Sequence, residues 1–404
     1  MENKMTAFRN VTESTRLIHG EALCDRLQRT PGPPIHRGST ILLDSCEQVY
    51  DPSLVTYGRV GLTTQRSLRD ALRDLEHADE AFIYPSGLAA ITATLSALLA
   101  SGDEVLACDS VYNPTRRYLA GTLARFGVTA RYFAPTTDVA AIKAMITPAT
   151  KLIFLESPGS NTFEMQDIPA IARMARAMGV MTAVDNTWSS GVLFKPLDHG
   201  VDVSIQSLTK YVCGHSDVFM GLAAASGTAV ELLAKSSNET GWAVSPDDAY
   251  LALRGLRTLH PRLARHGASA LKIAQWLAEQ PEVHTVLCPA LPQDPGHAIW
   301  QRNYSDICGL FSIVLNPVAD AAVRQMLESL SLFGLGYSWG GFESLILPCD
   351  PQLAVRTCSG KFAGPLLRIH VGLEDPSDLI ADLRHGLDQL SRHRAAMARS
   401  GQKY

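Results

Sequence analysis

The chain has 404 residues, with 36 Lys and Arg against 40 Asp and Glu, which gives a formal net charge of −4. Apolar residues make up 46% and charged residues 19%, an ordinary globular composition that excludes collagen-like, mucin-like and disordered chains. This charge balance offers no electrostatic footprint for nucleic acid, and no Lys/Arg cluster indicates an anionic membrane surface. We therefore expect no nucleic-acid partner and no membrane contact.

The amino-terminal segment lacks the apolar region of a secretory signal. The longest apolar stretch, residues 88–100, is too short to span a bilayer and is interrupted by Thr92, Thr94 and Ser96. Eight cysteines occur without a CxxC pair and without histidines at zinc-finger spacing. This pattern favours free thiols in a reducing cytoplasm over a disulfide framework or a metal site.

Residues 1–60 show no regular periodicity, and Pro31-Gly32-Pro33-Pro34 disfavours both helix and strand. We expect this region to be an arm that packs on another subunit. From about residue 66 the pattern becomes regular, and predicted helices alternate with predicted strands. The predicted strands span 81–84, 104–108, 128–133, 151–155, 180–184, 203–206 and 220–225. The main predicted helices span 88–100, 115–126, 139–146 and 167–178.

This alternation is typical of an α/β fold with a mostly parallel sheet that is covered on both faces. After residue 245 the pattern changes, and Ser245 followed by Pro246 predicts the start of a long helix, bent near Pro261. The remaining strands and helices indicate a smaller α+β domain. We expect a first domain over 61–256 and a second over 257–404.

Polar residues follow three of the predicted strands. Asp185 comes after the fifth strand, and Lys210 comes after the sixth together with Ser207 and Thr209. The helix that starts at Gly87 follows the first strand, and its free N–H groups provide an anion site. Ligands of open parallel sheets bind beyond the carboxyl ends of the strands, so these groups are expected to meet. Taken singly, each group also has a purely structural explanation. The Ser-Gly pair could only cap a helix, Asp185 could hold a neighbouring loop by hydrogen bonds, and Lys210 could be a solvated surface charge.

A cofactor with a phosphate, a ring nitrogen and an aldehyde would use all three groups. Pyridoxal 5'-phosphate (PLP) has these parts. The helix start would bind the phosphate, the carboxylate of Asp185 would keep the ring nitrogen protonated, and Lys210 would bond to the aldehyde. A protonated ring acts as an electron sink. The convergence of the three groups therefore predicts a PLP enzyme.

The sequence resembles the Cys/Met-metabolism family of PLP-dependent enzymes, and within it the β-eliminating carbon–sulfur lyases. The resemblance runs from about Thr15 to about residue 390, nearly the whole chain. The matching stretches are Tyr57-Gly58-Arg59, Tyr84-Pro85-Ser86-Gly87, Glu156-Ser157-Pro158, Asp185-Asn186-Thr187-Trp188, Ser207-Leu208-Thr209-Lys210-Tyr211, Gly214-His215-Ser216-Asp217, Arg254-Gly255-Leu256-Arg257-Thr258-Leu259 and Tyr337-Ser338-Trp339-Gly340-Gly341. It implies a PLP-dependent transferase-like fold, the type I aminotransferase-like architecture.

The resemblance also implies residue roles. Lys210, Asp185 and Tyr112 are expected to be catalytic, with Tyr112 stacked on the cofactor ring. The expected phosphate ligands are Ser86, Gly87, Leu88, Ser207 and Thr209. Arg368 is expected to bind the substrate α-carboxylate, for which a planar guanidinium is suited. The further expected contacts near cofactor and substrate are Asn161, Tyr337, Ser338 and Trp339.

Tyr57 and Arg59 match a pair that, in this family, reaches the phosphate site of a neighbouring subunit; Tyr57 is also expected to contact substrate. The resemblance therefore implies a homo-oligomer, with a tetramer built as a dimer of dimers as the expected form. The segment Ser160-Asn161-Thr162 departs from the Asn-Pro that is common in the family. We expect this departure to tune the site without abolishing it.

The implied reaction is β-elimination of L-cystathionine to homocysteine, pyruvate and ammonia, a step of methionine biosynthesis. One local feature favours it, because Tyr337 precedes Ser338 where many γ-acting relatives carry an acidic residue. Cystathionine γ-synthase or γ-lyase activity and a broader cysteine-S-conjugate lyase remain alternatives. A binding or regulatory protein without turnover is a further alternative from a different class.

Overall fold

The computed structural model describes residues 11–19, 30–358 and 362–400. Its strands form one seven-stranded and one five-stranded sheet. The strands of the larger sheet are β1 (Glu80–Tyr84), β2 (Glu104–Cys108), β3 (Thr129–Phe133), β4 (Thr150–Glu156), β5 (Met181–Asp185), β6 (Val203–Ser207) and β7 (Gly221–Ala225). Those of the smaller sheet are β8 (Val283–Leu287), β9 (Leu310–Leu315), β10 (Gly334–Leu335), β11 (Leu345–Pro348) and β12 (Leu366–His370).

Helices surround both sheets. They are α1 (Glu13–His19), α2 (Cys46–Val49), α3 (Thr63–Glu76), α4 (Gly87–Leu98), α5 (Asn113–Tyr118), α6 (Val139–Met145), α7 (Ile168–Ala177), α8 (Thr228–Thr240), α9 (Pro246–Leu256), α10 (Leu259–Ala278), α11 (His297–Asn303), α12 (Asp320–Glu328), α13 (Asp350–Leu353) and α14 (Pro376–Ser400). Short 3-10 turns occupy Gly58–Val60 and Pro196–His199.

The seven-stranded sheet has the order β1-β7-β6-β5-β4-β2-β3. All pairs from β6 to β3 are parallel, whereas β7 runs antiparallel to β1 and to β6. Every residue of β2 and of β7 is buried, as expected for strands that are covered on both faces. The predicted α/β class with a mostly parallel sheet is confirmed, and each strand boundary differs from its prediction by at most one residue.

Two predicted helices differ from the structure. The helix predicted over 115–126 starts at Asn113, and a π-helical turn over Leu119–Leu123 follows α5. The helix predicted to bend near Pro261 is two helices, α9 and α10, which are separated at residues 257–258. Pro261 lies in the first turn of α10, where its missing N–H costs no hydrogen bond. The predicted cap is present, since Ser245 Oγ accepts the Asp247 N–H at 3.2 Å.

The five-stranded sheet has the order β10-β11-β12-β9-β8. Strand β12 lies between β11 and β9 and is antiparallel to both. Because side chains alternate along a strand, Arg368 and His370 of β12 share one face. Both sheets contribute to one continuous hydrophobic core. The buried Trp188, three residues after β5, donates from Nε1 to the Leu310 carbonyl of β9 at 3.2 Å.

The described part of the amino-terminal arm exposes large apolar side chains. Leu42 is 92% and Tyr50 is 89% exposed. Residues 1–10 and 20–29 of the predicted arm, with Cys24, lie outside the described residues. The other seven cysteines are free thiols. Across the described ranges, no cluster of three or more His, Cys, Asp or Glu side chains could hold a metal ion, and no helix has the length and hydrophobicity to cross a bilayer.

Candidate active site

A cavity of about 370 Å³ lies at the carboxyl-terminal edge of the seven-stranded sheet and is closed on the other side by the five-stranded sheet. It brings together all of the predicted site residues except Tyr57 and Arg59. These are Ser86, Gly87, Leu88, Tyr112, Asn161, Asp185, Ser207, Thr209, Lys210, Tyr337, Ser338, Trp339 and Arg368. The helix start at Gly87, the Asp185 carboxylate and the Lys210 amine, which strand ends alone predicted to meet, thus line one cavity of a single chain.

The amino terminus of α4 forms one end of the cavity. Ser86 caps this helix, and its Oγ accepts the Ala89 N–H at 3.1 Å. A Cβ at Gly87 would lie 2.5 Å from Ser207 Cβ, so only glycine allows the helix to approach Ser207 this closely. Thr209 Oγ1 is held by the Met220 N–H at 3.0 Å. Hydroxyls and free N–H groups therefore converge at the positive end of a helix dipole.

Asp185, the last residue of β5, is 8% exposed. Its Oδ1 accepts the Thr187 N–H at 3.1 Å and the Thr187 hydroxyl at 2.5 Å. The Thr187 oxygen in turn accepts the Ser207 N–H at 2.9 Å, which ties the ends of β5 and β6 together. Burial raises the pKa of Asp185, and its bonds to Thr187 oppose that effect. A cationic N–H partner would favour the charged carboxylate in the same way.

Lys210 follows β6 and extends into the cavity. Its Nζ donates to Ser338 Oγ at 2.7 Å and lies 5.3 Å from the centre of the Trp339 ring. Burial and the nearby Arg368 guanidinium lower the pKa of Lys210 to about 8. A substantial fraction of this amine is therefore neutral close to physiological pH, as a general base requires.

Tyr112 immediately precedes α5, and 43% of its surface is exposed in a cavity-facing position. Its backbone N–H donates to Glu156 Oε2 at 2.6 Å. Asn161 adopts a left-handed backbone conformation with φ of 64°, and its Nδ2 donates to Gln352 Oε1 at 3.2 Å. The cavity thus has one exposed aromatic face and one amide that is held by the opposite wall.

The opposite wall consists of Arg368 on β12 and of residues 337–341, which we call the substrate loop. Arg368 Nη2 donates to the Ser338 carbonyl at 3.0 Å. Within the described residues, Arg368 forms no ion pair, so its remaining donors can bind a carboxylate. The substrate loop is exposed at Tyr337, which is 78% accessible, and adopts left-handed backbone at Ser338, with φ of 82°.

Tyr57 and Arg59 do not join this cavity within one chain. The Arg59 guanidinium lies 5.8 Å from the Tyr57 ring centre, and Arg59 lines a different cavity of about 280 Å³. Tyr57 is 48% exposed. These two side chains are therefore presented at the surface of the chain that carries them.

Glu156 and Gln352 are two polar residues among the cavity residues that were not predicted as site residues. Glu156 ends β4 and pairs in register with Asp185, and burial together with that neighbouring carboxylate raises the pKa of Glu156 well above its usual range. It directly follows the predicted strand 151–155, so the same strand-end argument could have identified it. Gln352 lies on α13, a helix of four residues that carries no sequence signal.

The residues of the cavity fit PLP. The cradle at Gly87, which a Cβ would fill, and the adjacent hydroxyls suit a phosphate. The exposed Tyr112 ring suits a planar ring, and the buried Asp185 suits a ring nitrogen that carries a proton. Lys210, with its lowered pKa, suits an aldehyde. Each chemical part of the cofactor has a counterpart in the chain.

Comparisons with known proteins agree with this fit. The family model for "Cys/Met metabolism PLP-dependent enzyme" matches residues 14–388. A cystathionine β-lyase of Escherichia coli is 41% identical over 88% of this chain and 93% of its own length. An L-alanine/L-glutamate racemase of Wolbachia pipientis is 38% identical over 89% of this chain and 92% of its own.

A crystal structure of cystathionine γ-lyase from Lactobacillus plantarum, complexed with L-serine, superposes with a TM-score of 0.88 at 31% identity. The superposition covers 94% of this chain and 100% of the γ-lyase chain. The family model spans nearly the whole chain, from α1 into α14, and each of these relatives matches over at least 92% of its own length. The chain belongs to the Cys/Met-metabolism family of PLP-dependent enzymes.

Proposed function

We propose that this protein is a carbon–sulfur lyase that cleaves L-cystathionine by β-elimination to homocysteine, pyruvate and ammonia, in methionine biosynthesis. One observation carries the proposal: Lys210 Nζ and the Arg368 guanidinium are both anchored to Ser338, at 2.7 Å and 3.0 Å. A base and a carboxylate-binding group are therefore held at a fixed separation. The similarity to the Escherichia coli β-lyase and the Tyr337 that precedes Ser338 support β-cleavage.

The chain's own residues would hold PLP as follows. Lys210 would bond to the aldehyde, Asp185 would accept the proton of the ring nitrogen, and Tyr112 would cover one ring face. The phosphate would be bound by Ser86, Gly87, Leu88, Ser207 and Thr209. When bound, PLP supplies an electron sink for the electron pair left at the substrate Cα.

Arg368 would bind the α-carboxylate of the substrate through two parallel hydrogen bonds. This contact would orient the Cα–H bond toward the Lys210 amine. The substrate amine would first displace the Lys210 amine from the aldehyde, which frees Lys210 to act as a base. Lys210 would then remove the α-proton, and its ammonium would protonate the thiolate sulfur that leaves Cβ. Ser338 Oγ accepts from Nζ and so would restrict the amine to one orientation. Trp339 would form an apolar wall beside the substrate chain, near Tyr337 and Asn161.

Assembly completes the proposal. Tyr57 and Arg59 would reach the phosphate site of a neighbouring subunit, and the exposed Leu42 and Tyr50 would be covered there. We expect a cytoplasmic homotetramer, a dimer of dimers, with residues 61–256 binding PLP and 257–404 forming the second domain. Sedimentation of the active protein tests this expectation, and an active monomer would contradict it.

Product analysis tests the reaction. Purified protein with L-cystathionine should release pyruvate and homocysteine in equal amounts, and Lys210→Ala should release neither. Release of 2-oxobutyrate with cysteine would instead establish γ-cleavage. Conversion of L-alanine to D-alanine without cystathionine cleavage would assign the activity of the racemase relative. Either result, or no turnover at all, would overturn the proposal.

A further inference from the structure

The substrate loop is anchored from beneath by a buried histidine. His370, two residues after Arg368 on β12, is 1% exposed. Its Nε2 lies 3.1 Å from the Gly340 nitrogen, whose N–H points at it. The same Nε2 lies 3.1 Å from the Gly341 carbonyl oxygen. Both contacts of the imidazole are therefore made to the backbone of the substrate loop.

The imidazole has no competing polar role among the described residues. Its Nδ1 is buried without a hydrogen-bond partner. The nearest rings are those of His266, at 5.3 Å between centroids, and of Tyr211, at 6.0 Å. Burying a polar ring is costly unless it gains hydrogen bonds, and here the gain comes from the loop alone.

Gly340 is a tightly constrained point of the loop. Its φ is +86°, and a Cβ there would lie 2.8 Å from the Lys210 carbonyl carbon. The loop backbone therefore packs directly on the residue whose Nζ contacts Ser338. Only two peptide units separate Gly340 from Ser338. A small displacement of Gly340 would therefore move Ser338 Oγ relative to Lys210 Nζ.

We propose that His370 is a positioning residue, which holds Gly340 so that Ser338 stays at hydrogen-bond distance from Lys210 and Arg368. Strand β12 then fastens the substrate loop twice from one face, through Arg368 at the Ser338 carbonyl and through His370 at Gly340. Accepting from Gly340 requires a neutral imidazole with its proton on Nδ1; a proton on Nε2 would instead be donated to the Gly341 carbonyl, since one nitrogen cannot make both bonds. Burial and the neighbouring His266 lower the pKa of His370 to about 3, which agrees with that requirement.

Three variants separate positioning from a general structural role. His370→Leu keeps an apolar side chain but removes the acceptor, whereas His370→Gln offers an amide oxygen at a similar reach. His266→Leu is the matched control: His266 is also a buried imidazole of the same cluster, but it bonds to the Val371 carbonyl at 2.8 Å and not to the loop. If His370→Leu fails to fold, His370→Asn, whose shorter amide cannot reach Gly340, takes its place.

Deuterium exchange of peptides that cover residues 337–341 is the direct readout and does not depend on any reaction. Loss of the acceptor should accelerate exchange of one loop amide by at least about tenfold in His370→Leu. His370→Gln should restore protection, and His266→Leu should leave it unchanged. Unchanged exchange in His370→Leu, or equal acceleration in His266→Leu, would overturn the inference.

The kinetic arm rests on the proposed function. With cystathionine, His370→Leu should lower kcat by about 10- to 100-fold, since misplacing a catalytic contact by about 1 Å has effects of that size. The change in KM should be smaller, and His370→Gln should recover most of kcat. A native protein that does not cleave cystathionine would refute the function and leave the exchange result to decide on His370. Faster loop exchange with unchanged kcat would refute the positioning role.

Discussion

The two walls of the cavity are built in different ways. On the cofactor wall, Asp185 ends β5 and Lys210 follows the adjacent parallel strand β6, and one threonine hydroxyl links the ends of these strands. On the substrate wall, Ser338 and Gly340 sit in left-handed backbone on an irregular loop, which is held by two side chains of β12. The cofactor wall thus depends on sheet geometry, whereas the substrate wall depends on a few long-range hydrogen bonds.

Replacing Lys210 should have the largest effect of any single change. Lys210→Ala removes the proposed base and the cofactor-binding amine, so kcat should fall by about 10⁴-fold or more. Borohydride treatment of the native protein followed by peptide mass spectrometry should place the pyridoxyl group on residue 210. Lys151→Ala, at an exposed lysine, should change neither result. A pyridoxyl group on another lysine would mean that the cofactor wall has been wrongly assigned.

Arg368→Lys tests the substrate wall and should act on KM. The variant keeps one positive charge but loses the planar pair of donors, so KM should rise by about 10- to 100-fold, as expected for a lost charge-assisted hydrogen bond. The effect on kcat should be smaller. Arg66→Lys, on the exposed surface of α3, is the matched control. A change confined to kcat would show that Arg368 acts on Lys210 and not on the substrate.

The two walls also act on Lys210 in opposite directions. The Arg368 charge lowers the pKa of Lys210, and the Asp185 charge raises it. Arg368→Met should therefore raise the pKa of Lys210 above its native value of about 8, and Asp185→Asn should lower it. The shifts should be up to about one pH unit. The pH dependence of labelling of residue 210 by an amine reagent in cofactor-free protein measures both, and shifts in the same direction would contradict this assignment.

The contrast between the walls explains what the sequence could predict. The sequence could predict the positions of Gly87, Asp185 and Lys210. Each lies next to a strand that the sequence shows as an apolar segment, and parallel strands bring their carboxyl ends to one edge of the sheet. Arg368 and Ser338 were identified only by resemblance to the family. Their position depends on β10 and β11, strands of two and four residues that were not predicted, and on contacts across the sheets. Gln352 and His370 carry no local signal, since only tertiary packing places them.

The smallest effect is expected at Glu156, which supports Tyr112 from the cofactor wall. Burial and the neighbouring Asp185 carboxylate raise the pKa of Glu156 well above its usual range and so favour its neutral form, which Gln resembles; Glu156→Gln should therefore change kcat/KM by less than about threefold. Glu156→Ala removes the acceptor of the Tyr112 N–H and should cost more, about 5- to 10-fold, as for one lost hydrogen bond. Equal losses in both variants would show that Glu156 acts as a charged group.

Stability gives an independent test of the same residue. An acid whose pKa is raised by folding binds its proton more tightly in the folded state than in the unfolded chain. Its contribution to the free energy of unfolding is therefore full below the unfolded-state pKa and is lost as pH rises toward the folded-state pKa. The melting temperature of the native protein should fall relative to that of Glu156→Gln as pH rises above about 4.5. Parallel melting curves across pH 5–9 would mean that Glu156 is already ionised beside Asp185 in the folded protein.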